Sequence, residues 1–181
     1  MSRIRPIDPA QATGKAKELL DAVHAKLGRV PNLMRGLAHA PAALEGYLQL
    51  SGALAGGALS AKLREQLALA IAEQNACEYC LAAHTAIGGM VGLSKDQVRD
   101  ARLATAVDPK TTALLGFAVR LVESRGRASA DDLAAVRAAG WSDGAIAEVV
   151  AHVALNVFSN YFNHVADTEV DFPAVPALQP A

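Results

Sequence analysis

Residues 63–89 read LREQLALAIAEQNACEYCLAAHTAIGG, and the reading of this stretch decides the fold. Up to Gln74 the apolar positions are alanine, leucine and isoleucine, mostly strong helix formers, with no strand-like alternation. Asn75 breaks that periodicity, and a second alanine-rich run follows it. The break predicts a reversal: one helix ends, a second returns antiparallel to it. Asn75 is expected to cap the returning helix, with Glu78 three residues later completing a capping-box pattern. Cys77 then falls in the first turn, where unpaired backbone N–H groups and the helix dipole favour a thiolate.

The register of this hairpin brings chemistry together. At about 100° per residue, Cys77, Cys80 and His84 fall within roughly 60° of one helix face. Glu65 lies ten residues before Asn75 and His84 nine after it, so the two meet at similar heights, with Cys80 one turn nearer the bend. On one straight helix Glu65 would stand about 22 Å from Cys80 and no contact would exist. A carboxylate, an imidazole and a thiol in that order form a proton relay. The base keeps the attacking sulfur deprotonated, and a second cysteine one turn away resolves a sulfenic acid into a disulfide. Two other readings of the cysteines stay open. A closed zinc site needs four ligands and this helix offers three, so His152 or His164 would have to complete it. Alternatively the two sulfurs are inert core residues beside an unrelated histidine.

The remaining sequence narrows the class. The chain has 181 residues, enough for one domain with a sizeable core, and is 52% hydrophobic but only 4% aromatic. Seventeen basic residues against eighteen acidic ones, without a basic cluster, argue against nucleic acid and anionic membranes as partners. The N-terminal MSRIRPIDPA lacks the apolar run of a signal peptide, and no apolar stretch of spanning length is expected to be free of charge. The chain therefore reads as cytoplasmic, where a lone cysteine pair is catalytic or metal-binding more often than structural. No proline falls between Pro41 and Pro109 or between Pro109 and Pro173, and long helices fit those intervals. Leu59-Ser60, Leu93-Ser94 and Trp141-Ser142 each place an apolar residue before a capping serine, with a capping box at Ser94–Gln97. Asp108-Pro109 and Ser129 open two further helices, Gly28 closes the first, and Gly88-Gly89 reads as a helix end. The last helix runs from about Asp143 to Asp167 and the tail is an extended arm. The fold is all-α.

With those residues in view, the chain resembles a known family. Glu65, Cys77, Cys80 and His84 reproduce the E-x11-C-x2-C-x3-H spacing of the alkylhydroperoxidase D-like branch of the carboxymuconolactone decarboxylase superfamily. Residues 14–50, GKAKELLDAVHAKLGRVPNLMRGLAHAPAALEGYLQL, also look like the N-terminal region of its peroxidase-related members. The similarity runs from about Gly14 to Asp171, and four spaced residues on helices are far more specific than a bare C-x-x-C. The resemblance implies a single domain over 1–181, a helical bundle of antiparallel hairpins with a catalytic core at about 40–105 and an arm at about 171–181. It implies assembly into a homo-trimer or homo-hexamer, and thiol-dependent reduction of a hydroperoxide without a cofactor or metal. Carried over, Cys80 attacks the peroxide and Cys77 resolves it and exchanges with a dithiol reductant, of lipoyl type in the best-known branch. His84 is then the base and Glu65 its orienter. Where that branch often has a histidine just before the second cysteine, this chain has Tyr79, a poor base near neutral pH, which shortens the relay. A lactone-acid decarboxylase of the same superfamily and a non-catalytic redox-sensing oligomer are the rival functions.

Two weaker patterns lie in the last helix. His152, Asn156, Asn160 and His164 recur at a four-residue stride as a polar stripe, suited to lining a cavity, joining subunits or satisfying one another. The segment from Ala145 to Asn163 also aligns faintly with Leu63–Cys80, setting Glu148 over Glu65 and Asn160 and Asn163 over Cys77 and Cys80.

Overall fold

The computed structural model describes residues 2–178. Its helices are α1 (Gly14–Leu27), α2 (Asn32–Leu37), α3 (Pro41–Ala55), α4 (Ala61–Gln74), α5 (Glu78–Met90), α6 (Lys95–Arg102), α7 (Pro109–Glu123), α8 (Ala130–Ala138) and α9 (Asp143–Ala166), and no strand occurs among the described residues. The all-α bundle is the one expected. α4 is its axis, packed against α5, α6, α7 and α9. Leu67 through Ala72 are buried without a break, the mark of a helix covered on nearly every side.

The starts follow the capping chemistry. Ser60, Ser94, Ser129 and Ser142 each accept a backbone N–H three residues on, and Ser94 and Ser129 complete capping boxes with Gln97 and Asp132. Asp108 accepts from the Lys110 and Thr111 N–H groups ahead of Pro109, and Gly28 closes α1 in the left-handed region at φ 69°. Gly88 and Gly89 lie inside α5, which runs one residue further to Met90. The left-handed turn falls on Gly92, at φ 87°.

The hairpin turn differs from expectation in one detail. Asn75 does not cap α5; it closes α4, and Cys77 is the residue that caps α5. Ala76 adopts the left-handed conformation at φ 51°, the Cys77 N–H reaches back to the Ala72 carbonyl (2.9 Å), and the Ala76 N–H reaches that of Glu73 (2.9 Å). This double closure satisfies the last carbonyls of α4 and consumes the residues that a simple Asn cap would have left to the second helix. α9 braces the turn from outside: Asn75 Nδ2 donates to Asn160 Oδ1 (2.8 Å), and His164 Nε2 bonds the Asn75 carbonyl (2.8 Å).

α9 is long and apolar enough to cross a membrane by length and composition, and, against expectation, residues 149–166 carry no Asp, Glu, Lys or Arg. Its polar side turns inward, with His152, Asn156, Ser159, Asn160 and Asn163 all buried. Near its start Glu148 accepts the Ala58 and Leu59 N–H groups (2.8 and 3.1 Å) and pins the turn before α4. A Cβ on Gly57 would lie 2.2 Å from that carboxylate, so a side chain there would push Glu148 off these two bonds. After Asp167 the chain runs without helix to residue 178. Asp171 pairs with Arg29 and accepts the Asn32 N–H, and the Pro176 carbonyl accepts from Arg102 (3.0 Å), a buried guanidinium also bonded to Glu73 (2.7 Å). Residues 179–181 of the expected arm lie outside the described residues.

A left-handed alanine costs about 1 kcal/mol relative to glycine. Ala76→Gly is expected to raise the unfolding free energy by roughly that amount in urea titrations, while Gly57→Ala lowers it.

Candidate active site

The turn sets α5 alongside α4 so that Glu65 and His84 face each other. Glu65 Oε2 lies 2.8 Å from His84 Nδ1, with both side chains mostly buried. Burial opposes a charge on the ring, but the Glu65 charge and hydrogen bond, helped by the charge on Cys77, overcome it, and the His84 pKa is raised. Nδ1 is committed to the carboxylate, which leaves Nε2 as the working nitrogen.

Both cysteines are buried, at 1% and 2% exposure, and their sulfurs are hydrogen-bonded at 2.7 Å. Position on the helix separates them. Cys77 is the cap and Cys80 stands three residues on, so the Cys80 N–H is directed at the Cys77 sulfur. Its pKa falls to about 7: the hydrogen bond from Cys80 is the main cause, burial opposes it, and the Cys80 N–H, His164 and Asn163 assist. The Cys80 pKa is raised, first by its hydrogen bond to Cys77, then by burial and by the Cys77 charge. The pair thus parts with its first proton readily and its second with difficulty.

The four motif residues are therefore assembled as two couples, carboxylate with imidazole and sulfur with sulfur. No hydrogen bond joins His84 to either sulfur. The side chain that does touch them comes from α9: Asn163 Nδ2 donates to Cys80 Sγ at 3.2 Å and stands 4.0 Å from Cys77 Sγ. Asn163 lies off the four-residue stride of the polar stripe, and only the faint alignment of α9 with α4–α5, which sets it over Cys80, marks it in the sequence.

The stripe itself does something else. Asn160 and His164 hold the hairpin turn, and Asn156 Nδ2 bonds the His152 carbonyl one turn back (2.8 Å). His152 faces Glu148 at 4.0 Å and its Nε2 has no hydrogen-bond partner. Neither His152 nor His164 is turned to the cysteines as a fourth zinc ligand would be. Tyr79 is likewise no part of a relay. Its hydroxyl donates to Asp171 Oδ1 (2.8 Å) and accepts the Leu33 N–H (3.1 Å), its ring meets Phe172 edge-on, and burial raises its pKa. It fastens the C-terminal arm to the helix that carries the cysteines.

Residues 41–124, a stretch that contains all four motif residues, match the model of the carboxymuconolactone decarboxylase family. The chain is similar to that family over just under half of its length. Among solved structures it is similar to a peroxidase-related protein with an alkylhydroperoxidase AhpD core from Ralstonia eutropha JMP134, at 27% identity and TM-score 0.82, over 94% of this chain and 92% of that one. A peroxidase-related protein from Silicibacter sp. TM1040 shares the fold at 20% identity and TM-score 0.79, over 92% of this chain and 91% of that one. So does the debrominase Bmp8, a C82A form of which is seen with 2,3,4-tribromopyrrole, at 17% identity and TM-score 0.77, over 93% and 91%. No curated protein sequence matches the chain. The superfamily is one of enzymes, and the all-helical fold is shared across these relatives.

The Glu65–His84 couple has a direct readout. In pH-resolved nitrogen NMR the His84 ring is expected to titrate above the ordinary value of about 6.5, and in Glu65→Gln lower than in the parent chain, because only the weaker Cys77 charge then opposes burial. A folded pKa raised above the unfolded one stabilises the protein fully below about pH 6.5, and the gain is lost as pH rises through the raised value.

Proposed function

We propose that this chain is a thiol-dependent peroxidase that reduces a hydroperoxide through Cys80 and Cys77. The observation that carries the reading is the buried sulfur pair, 2.7 Å apart, on the same helical hairpin as the ion-paired Glu65–His84 couple.

The chemistry follows from those two couples. Cys77, the resting thiolate, takes the Cys80 proton across the short contact as the Cys80 sulfur attacks the terminal peroxide oxygen. The O–O bond breaks, Cys80 becomes a sulfenic acid, and the leaving alkoxide takes a proton from the His84 imidazolium, reached through the substrate or one water. Glu65 keeps that proton available by raising the ring's pKa. Asn163 Nδ2 stays on the Cys80 sulfur throughout and stabilises the charge that builds there. Cys77 then attacks the sulfenic sulfur, water leaves, and a disulfide forms before further oxidation can occur. Two electrons from a dithiol, or from two thiols in turn, restore the pair.

The wider reading includes a cytoplasmic homo-oligomer. Val150, Phe158, Tyr161 and Val165 are exposed along one face of α9, an apolar stripe that supports self-association.

Peroxide consumption with cumene hydroperoxide and excess dithiothreitol tests the proposal. Cys80→Ser is expected to abolish turnover, Cys77→Ser to slow the peroxide step itself because the group that takes the Cys80 proton is lost, and His84→Gln to slow turnover about 10²-fold or more. Turnover that survives Cys80→Ser contradicts the assigned nucleophile.

A further inference from the structure

The two sulfurs do not face the same surroundings. An open vestibule of about 430 Å³ reaches Cys77 and does not reach Cys80. Its walls are polar: Arg3 stands on one side and Glu78 and Asp167 on others, with Ala76 and Val170 among the few apolar contributors. Two of its lining residues each carry a buried polar atom without a hydrogen-bond partner, Asn163 Oδ1 and Thr168 Oγ1, and Asn163 is only 5% exposed. A buried acceptor left empty costs on the order of 1–3 kcal/mol, so a small side-chain shift that turns either atom to the vestibule would gain from a ligand's N–H or O–H.

From these features we infer that the vestibule is the docking site for the reductant, and that the reductant is a hydrophilic low-molecular-weight thiol bearing an amide and oppositely charged ends. The inference rests on the thiol-dependent reading above and names the partner of its second half-reaction. Arg3, whose guanidinium already spends Nη1 on the His164 carbonyl at 3.3 Å, retains nitrogens for a carboxylate. Glu78 or Asp167 pairs with an ammonium group. Asn163 Oδ1 and Thr168 Oγ1 take the amide next to the thiol. An alkyl-chain dithiol finds none of these matched and little apolar wall to cover its methylenes.

The exchange balances without a further reactant. The docked thiolate attacks Cys77 Sγ of the disulfide, the Cys77–Cys80 bond breaks, and the Cys80 sulfur, held by Asn163 Nδ2, takes up the proton that the second ligand thiol gives up. A second thiolate attacks the ligand sulfur of the mixed disulfide. The oxidised ligand departs as its own disulfide, carrying two electrons fewer per pair, and Cys77 returns as the thiolate.

The test uses glutathione as the carboxylate-bearing probe and 2-mercaptoethanol as a thiol with no charged end. The full chain is oxidised with diamide to the Cys77–Cys80 disulfide, and its reduction is followed by stopped-flow. Reduction by glutathione is expected to saturate, and Arg3→Ala to lower the ratio of glutathione to 2-mercaptoethanol rates about tenfold, the loss of one charge-assisted hydrogen bond. Thr168→Val lowers the same ratio, and because a ratio within one variant is compared, misfolding does not imitate the effect. Non-saturating reduction by glutathione, or a ratio unmoved by both variants, overturns the inference. Peroxide is measured separately on the reduced chain: a chain that fails to consume it yet shows the saturating, Arg3-dependent reduction refutes the peroxidase reading and leaves the docking site standing.

Discussion

Three residues, Asn75, Ala76 and Cys77, fix everything chemical in this molecule. The left-handed alanine between them ends α4 and starts α5 without a longer loop, which sets the register of the two helices to within a residue. That register puts Glu65 against His84 nineteen positions later and makes Cys77 the residue that caps α5, with Cys80 one turn on. A one-residue change in the turn would rotate α5 by about 100° and separate both couples. The strain of a left-handed alanine is held by Asn160 and His164 of α9, so the helix that roofs the sulfurs is also the one that secures the turn beneath them.

Burial and charge oppose each other throughout the site, and the arrangement resolves the conflict pairwise. A lone buried imidazolium or thiolate would lose its charge. Here the imidazolium leans on a carboxylate, and the thiolate on a neighbouring thiol, a backbone N–H and the Asn163 amide. The consequence for chemistry is a sulfur that is ionised near neutrality yet nearly sealed from solvent. A second sulfur lies in direct contact, a geometry suited to disulfide closure. The two cysteines also differ in their surroundings, since Cys77 and not Cys80 borders the polar vestibule.

Much of this is legible in the sequence because helical periodicity and capping are local. Ser60, Ser94, Ser129, Ser142 and Asp108 sit within four residues of the N–H groups that they satisfy, so the helix starts can be read directly. The Glu65–His84 contact follows from counting outward from a single break in periodicity. What escapes is non-local or carries no distinctive residue type. The left-handed turn falls on an alanine, where a glycine would have announced it, so the cap is read two residues early. Tyr79 owes its role to Asp171, 92 residues away, and no spacing rule connects them. Asn163 reaches Cys80 across 83 residues and looks like any other polar residue on α9. The charge order of the sulfurs depends on which of them caps the helix, and that depends on the turn.

The central claim is that this turn and its neighbours make one sulfur, and only one, acidic. Ultraviolet thiolate absorbance of the anaerobically reduced protein, followed against pH, tests it most directly. The account requires one thiolate per chain to appear with a midpoint of about 7 and the second to remain protonated through the range where the fold persists. Two sulfurs ionising together near the ordinary value of about 8.5 would contradict it.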